Sequence, residues 1–408
     1  MPVEPSPAQE FASSALGVPP DEIVAVGVPL SALPFLIAAH ALAHDLPDDA
    51  PTAPASTRHE AGAAFLPPLG GSDRLIPYDG LFALPPGTAA DVPLVVRCTT
   101  PGMGDRLLEV LCRRTDAAIA GAYLSFLRNE GGKQRNPYRG LVCEVHPDRS
   151  QMRTAIRFEP VELPDVGRDD LVLEQEVWDA VDENVHGMFR SASLLRAAEL
   201  GARRGLLVAG PPGVGKSALC RIVAREVSGK ATVLIADMSV ARHDLEDLYK
   251  EAARASPTLV VLEELDSIAG DRRGGGLSTE LSQFLAAIDG IATPDEVIVT
   301  LATTNAPELL DAAALRTARF DRIVRLGLPD LRGRTKTLDR YLRGVAGNEP
   351  IDTRAVAGAT TDASGADLRE LVRLAVLRSG TDVTTKLLLE LARETTSWRR
   401  PPPGSSYL

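Results

Sequence analysis

The chain of 408 residues is poor in several features, and each shortage narrows what it can do. It has four cysteines, Cys98, Cys112, Cys143 and Cys220, and none are paired at C-x-x-C spacing. That argues against a disulfide framework or a thiolate metal site and for reduced core thiols in a cytoplasmic protein. No apolar run reaches the roughly 18 residues that a membrane span requires. The N-terminus has no basic region ahead of an apolar one, so no secretory leader is expected. The six histidines are dispersed. His40 and His44 share a helical face but sit in no H-E-x-x-H frame, so core or surface histidines are expected there. Excess positive charge is missing too: the net charge of −11 opposes wholesale nucleic-acid binding.

What remains is ordinary globular composition, 44 % apolar and 24 % charged, at a length that suggests two or three domains. The informative stretch is Gly205 to Ser217. Leu206 to Ala209 is an unbroken apolar run, which suits a strand buried on both faces of a parallel sheet. From Gly210 the chain reads Gly-Pro-Pro-Gly-Val-Gly-Lys-Ser, the phosphate-binding loop signature. Gly210, Gly213 and Gly215 let backbone N–H groups converge without Cβ clashes, with Pro211, Pro212 and Val214 between them. Lys216 adds a full charge, Ser217 offers a hydroxyl to Mg²⁺, and Ala218 continues into a helix whose positive end faces the same point. A polyphosphate of high negative charge is the ligand that fits.

Around this loop the chain divides by pattern. Residues 1–20, rich in proline, serine and alanine, read as a mobile arm, and Leu30 to Leu46 as a helix. Leu46 to Ser56 reads as an exposed linker, and Arg74 to Arg97 as short strands broken by prolines. Helices are expected at Gly104–Arg114 and Asp116–Arg128, then strands at Leu141–His146 and Thr154–Phe158. Residues 1–165 are thus expected to form an α+β domain without chemistry of its own, and Val161–Asp170 the linker that follows. Within 171–329, apolar runs at Thr232–Ala236, Leu259–Leu262, Val297–Ala302 and Ile323–Leu326 alternate with helical patterns, implying an α/β domain with a parallel sheet. Residues 330–395 are helical only, and 396–408 form a proline-rich tail.

Carboxylates follow the second of these runs, at Glu263, Glu264 and Asp266. That places them at the carboxyl edge of the sheet, where ligands bind in open α/β folds. One can anchor the metal's water shell while the next polarises the attacking water. Asn305 ends the run after Val297 and can orient that water or read the γ-phosphate. Arg316 and Arg319, one helical turn apart, suit a role in neutralising charge on a neighbouring subunit's phosphate.

Gly-Pro-Pro-Gly-Val-Gly-Lys-Ser, Glu-Glu-Leu-Asp, Ala-Thr-Thr-Asn and Asp-Ala-Ala-Ala-Leu-Arg-Thr-Ala-Arg-Phe-Asp-Arg stand in the order and spacing of the AAA+ ATPases. This stretch resembles the branch whose second region ends in G-R-F-D-R, and Asp362-Ala-Ser-Gly-Ala-Asp-Leu368 resembles its lid signature. The resemblance spans about 170–395. It implies a P-loop α/β domain with a small helical lid, ATP and Mg²⁺ as ligands, and a ring that is usually a hexamer. It also implies Glu264 as the residue that polarises water, Asn305 as a sensor, and Arg316 and Arg319 as fingers reaching the neighbouring subunit. Gly365 and Ala366 would approach the nucleotide from the lid, and Ser217 with Glu263 would hold the metal. Asp289-Gly290-Ile291 matches the place where the family relays nucleotide state between subunits.

Three departures qualify the resemblance. Glu263 stands where the family has aspartate, Ala318 where it has glycine, and Asp237–His243 has no aromatic of the kind that grips polypeptide in a pore. A second pore-side loop, Ala269–Leu277, is locally basic. The function implied is a ring ATPase that remodels or translocates a macromolecular partner, most simply a protein selected by residues 1–165. One alternative is a nucleotide-gated scaffold with slow hydrolysis. Another is docking on a proteasome-like protease through Tyr407-Leu408, a third a nucleic-acid remodeller that the acidic balance opposes.

Overall fold

The computed structural model describes residues 6–30, 32–55, 63–66, 73–99, 106–129, 134–147, 156–236, 240, 244–265, 296–305, 320–345 and 350–394. The chain divides into two compact units: residues 1–161 with 228–258 and 290–298, and residues 162–227 with 259–289 and 299–408.

The first unit is built on an antiparallel sheet, strand order β1-β6-β5-β4-β2, with β3 also paired to β4. Its strands are β1 (Ile23–Leu30), β2 (Thr52–Ala53), β3 (Ala64–Leu66), β4 (Ile76–Leu84), β5 (Leu94–Thr99) and β6 (Arg106–Arg113). Side chains alternate across a strand. Phe82, Val96, Leu108 and Val110 therefore pack on one face with helices α2 (Ala32–Asp45) and α3 (Ala117–Arg128). Leu81, Ala83, Val95 and Leu111 pack on the other face with α1 (Pro7–Leu16).

Three sequence expectations fail here. Residues 106–113, expected to be helical, form β6, which lies between β1 and β5 and is covered on both faces. A doubly covered strand is apolar almost throughout, so it loses the period-2 signature that separates strand from helix. The expected mobile arm contains α1, which buries Ala12 and Leu16. Its start is fixed by a capping box in which Ser6 Oγ accepts from Gln9 N while Gln9 Oε1 accepts from Ser6 N. The expected linker also carries β2, whose Thr52 and Ala53 pair with Phe82 and Leu81.

Also in the first unit, β7 (Val142–Pro147) pairs antiparallel with β8 (Ile156–Pro160) and parallel with β10 (Thr232–Ala236). Val233 sits opposite Val142, so strands far apart in sequence share a sheet. Helix α7 (Leu245–Arg254) belongs to this unit as well.

The second unit has the P-loop α/β architecture. Its strands run in the order β13 (Arg322–Arg325), β9 (Arg203–Ala209), β12 (Ile298–Thr304), β11 (Thr258–Leu262), with β13 parallel to β9. Leu206, Leu207, Leu259, Val260, Val299 and Leu301 are fully buried, as the unbroken apolar runs lead one to expect. Ahead of β9 come α4 (Gln175–Val181), a π-helical turn (Asp182–His186) and α5 (Gly187–Ala197). Helix α6 (Lys216–Val227) follows the loop after β9. The regular elements described between residues 331 and 394 are helices: α8 (Leu331–Leu342), α9 (Thr353–Ala359), α10 (Gly365–Ser379) and α11 (Thr385–Glu394). They share a core of Leu338, Val356, Leu368, Leu371 and Leu388.

Candidate active site

A cleft of about 800 Å³ in the second unit collects many of the sequence-derived residues. Its floor is the loop between β9 and α6. Gly210 donates from N to Thr304 O at 3.1 Å, tying the loop to the end of β12. A Cβ on Gly210 would fall 2.3 Å from Leu326 O, so only glycine allows that approach. Gly213 and Gly215 have φ of +79° and +105°, a region that side-chain-bearing residues avoid. These constraints are those of a loop shaped to wrap an anion, and they fit the triphosphate of ATP.

Lys216 is buried at the first position of α6. Its Nζ donates to Gly210 O at 2.8 Å, Pro211 O at 2.9 Å and Asn305 Oδ1 at 2.8 Å. The ammonium thus joins the loop to the end of β12 and brings together two residues 89 positions apart in sequence. Ser217 and Ala218 line the cleft one and two residues on.

Glu264 lines the cleft from the end of β11. Its φ is +61°, a left-handed backbone in a residue with a Cβ, which stores on the order of 1–2 kcal/mol of strain. Glu264 N donates to Thr303 Oγ1 at 3.0 Å, so a buried hydroxyl on β12 holds the turn. Glu263 is half-buried and is not among the cleft-lining residues. Its charge acts on Cys220 of α6, where burial first and that carboxylate second push the thiol up. The four cysteines are all buried free thiols.

The lid reaches the loop directly. Ala366 N donates to Gly213 O at 3.1 Å, and Ser364 packs so closely that a Cβ on Gly213 would sit 2.5 Å from its Oγ. Ser364 and Asp367 form the capping box that starts α10, which sets Gly365 and Ala366 in the first turn facing the loop. Arg316, Arg319, Ala318, Asp289–Ile291, Ala269–Leu277 and Tyr407-Leu408 lie outside the described residues, as does Asp237–His243 apart from Val240. Two residues after Arg319, Asp321 is firmly held. Its carboxylate accepts from Gly205 N at 2.8 Å and pairs with Arg204 at 3.2 Å.

Some cleft residues carried no signal in the sequence. Thr303 lies inside the Ala-Thr-Thr-Asn motif, whose spacing marks Asn305 and not the hydroxyl beside it. Segment 164–174, Arg340, Tyr341 and Arg369 line the cleft from positions that no motif marks. Among the described residues, no group of three or more His, Cys, Asp or Glu is placed to hold a metal ion.

Comparison with known proteins places the stretch that carries this loop in a family. Residues 206–328 match the AAA family model, the ATPase family associated with various cellular activities. The ATP-dependent zinc metalloprotease FtsH of Helicobacter pylori strain J99 is 31 % identical over 244 residues, which is 56 % of this chain and 38 % of that protein. FtsH of Acidimicrobium ferrooxidans is 38 % identical over 252 residues, 57 % of this chain and 37 % of the relative. FtsH 4 of Sphaerobacter thermophilus is 36 % identical over 239 residues, 55 % of this chain and 36 % of the relative. The chain therefore spans well under half the length of these relatives.

Proposed function

Because residues 206–328 are an ATPase module of the AAA family, we propose that this chain assembles into a ring, most simply a hexamer, that uses Mg²⁺-dependent ATP hydrolysis to remodel a protein partner. The observation that carries the proposal is the convergence of Lys216, Asn305 and Glu264 on one cleft whose lid docks on the phosphate loop. The relatives are named as proteases, which supports a polypeptide substrate, and residues 1–165 would select it. Among the described residues no helix is long and apolar enough to cross a membrane, and a cytoplasmic location accords with that.

In this reading Lys216 and the N–H groups at the start of α6 hold the β- and γ-phosphates. Ser217 and Glu263 would hold the metal, which when bound would supply positive charge to the reacting phosphate. Glu264 accepts a hydrogen bond from the attacking water and takes up its proton. Asn305 orients that water, so its present bond to Lys216 exchanges for one toward the reacting centre. Gly365 and Ala366 close the cleft from the lid. Arg316 and Arg319 reach the neighbouring subunit's γ-phosphate, a contribution worth several orders of magnitude in related phosphoryl transfers.

Glu263 motivates a second reading, a nucleotide-gated scaffold. One extra methylene moves its carboxylate relative to the family's aspartate, which slows hydrolysis while leaving nucleotide-driven assembly intact. The deciding measurement is steady-state ATPase rate against protein concentration for wild type, Lys216→Ala and Arg319→Ala. A rate per subunit that climbs with concentration and is lost in both variants supports catalysis at a subunit interface. Oligomers that form with ATP but hydrolyse no faster than Lys216→Ala support the scaffold.

A further inference from the structure

One wall of the nucleotide cleft is a strap of mostly irregular chain, residues 164–174, whose only regular turn is the short 3-10 helix Arg168–Asp170. Such a segment does not hold its own shape, so side chains must fix it. Arg168 does most of this. Its guanidinium grips two carboxylates at once: Glu226 through Nε at 2.6 Å and Nη2 at 3.0 Å, and Asp182 through Nη1 at 2.9 Å and Nη2 at 2.5 Å. Its plane also lies over the Trp178 ring, 4.9 Å from the centroid. Glu226 takes a further contact from His186 Nε2 at 2.8 Å.

The strap is secured on either side of this knot. Arg225 pairs with Asp165 and donates to Val166 O at 2.9 Å. Asp170 accepts from Arg340 of α8 at 3.2 Å. The strap also touches the phosphate loop itself, since a Cβ on Gly215 would fall 2.7 Å from Leu171 Cδ1. Glu226 and Lys216 stand on the same helix, α6. Arg168 therefore references the strap to the helix that begins the phosphate site, and Leu171 closes the loop of contacts at the other end.

We infer that Arg168 is a positioning residue for the nucleotide, holding the strap 164–174 at the distance from the phosphate loop at which ATP is gripped. The inference rests on the cleft being the ATP site. Hydrogen bonds to Asp182 first, and then to Glu226, hold the guanidinium charged above even its ordinary range. Burial pushes the Glu226 carboxyl up, but its bonds to Arg168 and His186 outweigh that and leave it below its usual value. The ion pairs are partly solvent-exposed, and pairs of that kind add little to global stability. The knot therefore acts on where the strap sits rather than on whether the unit folds. Lysine cannot replace it, because an ammonium has no fork to grip both carboxylates.

The test is titration with a fluorescent ADP analogue, combined with melting curves and Trp178 emission in a Trp398→Phe background. Arg168→Ala is expected to weaken nucleotide binding at least about tenfold, within the roughly hundredfold that a displacement near 1 Å at a positioned site can cost. Arg168→Lys should weaken it by about threefold, because one carboxylate contact is kept. Turnover at saturating ATP should fall less than affinity does, and the melting temperature should move by only a few degrees. Trp178 emission should shift in nucleotide-free Arg168→Ala as the cation leaves the ring. An affinity within twofold of wild type while that emission shows the knot open overturns the inference. Should Arg168→Ala not fold, Asp182→Asn and Glu226→Gln each remove one anchor, and unchanged affinity in both is equally fatal. Lys216→Ala separates the two levels. If it too binds nucleotide like wild type, the ATP site lies elsewhere, and the inference falls with the site.

Discussion

Two glutamates, Glu251 and Glu264, flank β11 in sequence and are held in opposite ways. Glu251, on α7 of the first unit, is 5 % exposed. Its Oε1 takes a hydrogen bond from Arg254 at 2.5 Å, while Oε2 has no hydrogen-bond partner among the described residues. Burial pushes this carboxyl up to about 7. Glu264, in the second unit, is exposed at the cleft and sits on strained backbone held by Thr303. The first unit tolerates a costly carboxylate inside its packing, whereas the second strains its backbone to keep one at the mouth of a cleft. Strain at an accessible carboxylate indicates chemistry; desolvation of a buried one away from any cleft indicates packing that was not optimised around it.

The comparison breaks most visibly at Glu264. Glu264→Gln keeps the size of the side chain and removes the proton acceptor. Hydrolysis should fall at least about a hundredfold, the usual contribution of a positioned general base. Nucleotide affinity should stay near wild type, because the phosphates are held by Lys216 and the loop. A Glu264→Gln protein that hydrolyses ATP at the wild-type rate would remove the distinction drawn between the two glutamates.

Glu251 sharpens the same contrast through pH. Its folded value lies above the ordinary 4.5, so between about pH 4.5 and 7 the folded state binds more protons than the unfolded one. Stability then falls as pH rises through that window, and a shift of this size amounts to roughly 3 kcal/mol. Below pH 4.5 the carboxyl is protonated in both states and costs nothing. Glu251→Gln should therefore gain on wild type as pH rises, with the difference in melting temperature widening until about pH 7 and level beyond it. A constant difference from pH 4.5 to 8 would show that Glu251 ionises normally. ATPase activity per folded molecule should not change, since Glu251 does not line the cleft.

The cleft was far more legible in the sequence than the first unit was. Gly213, Gly215, Lys216 and Ser217 are fixed by local spacing, because the loop needs glycine where the backbone turns left-handed and a charge where the phosphate sits. The strands of the second unit could be located within a residue or two, except at the start of β9, which begins at Arg203, three residues ahead of its apolar run. A strand buried on both faces between helical patterns has few other readings. The same property misled at β6, where Leu108, Val110, Leu111 and Cys112 imitate a helical stripe because both faces of that strand are covered. Helix α1 was legible in principle, as Ser6-Pro7-Ala8-Gln9 is a capping-box signature, but the proline and serine content hid it. The strap was not legible at all. Arg168, Asp182 and Glu226 meet only in three dimensions, and no spacing along the chain announces it.

Thr303 gives the finest cut between the two ways of holding a carboxylate. Its hydroxyl is the acceptor for Glu264 N, so Thr303→Val preserves shape and β-branching while leaving that N–H without its partner. A lost hydrogen bond of this kind costs about 1–1.5 kcal/mol. Some of that cost can be avoided if the turn relaxes out of its left-handed backbone, and relaxation moves the Glu264 carboxylate away from the reacting centre. The expected result is hydrolysis reduced about tenfold with nucleotide affinity unchanged. Thr303→Ser should restore the rate, because serine keeps the acceptor. If Thr303→Val lowers the melting temperature and leaves turnover intact, the hydroxyl serves the strand rather than the site. Glu264 would then hold its strained backbone without help from β12.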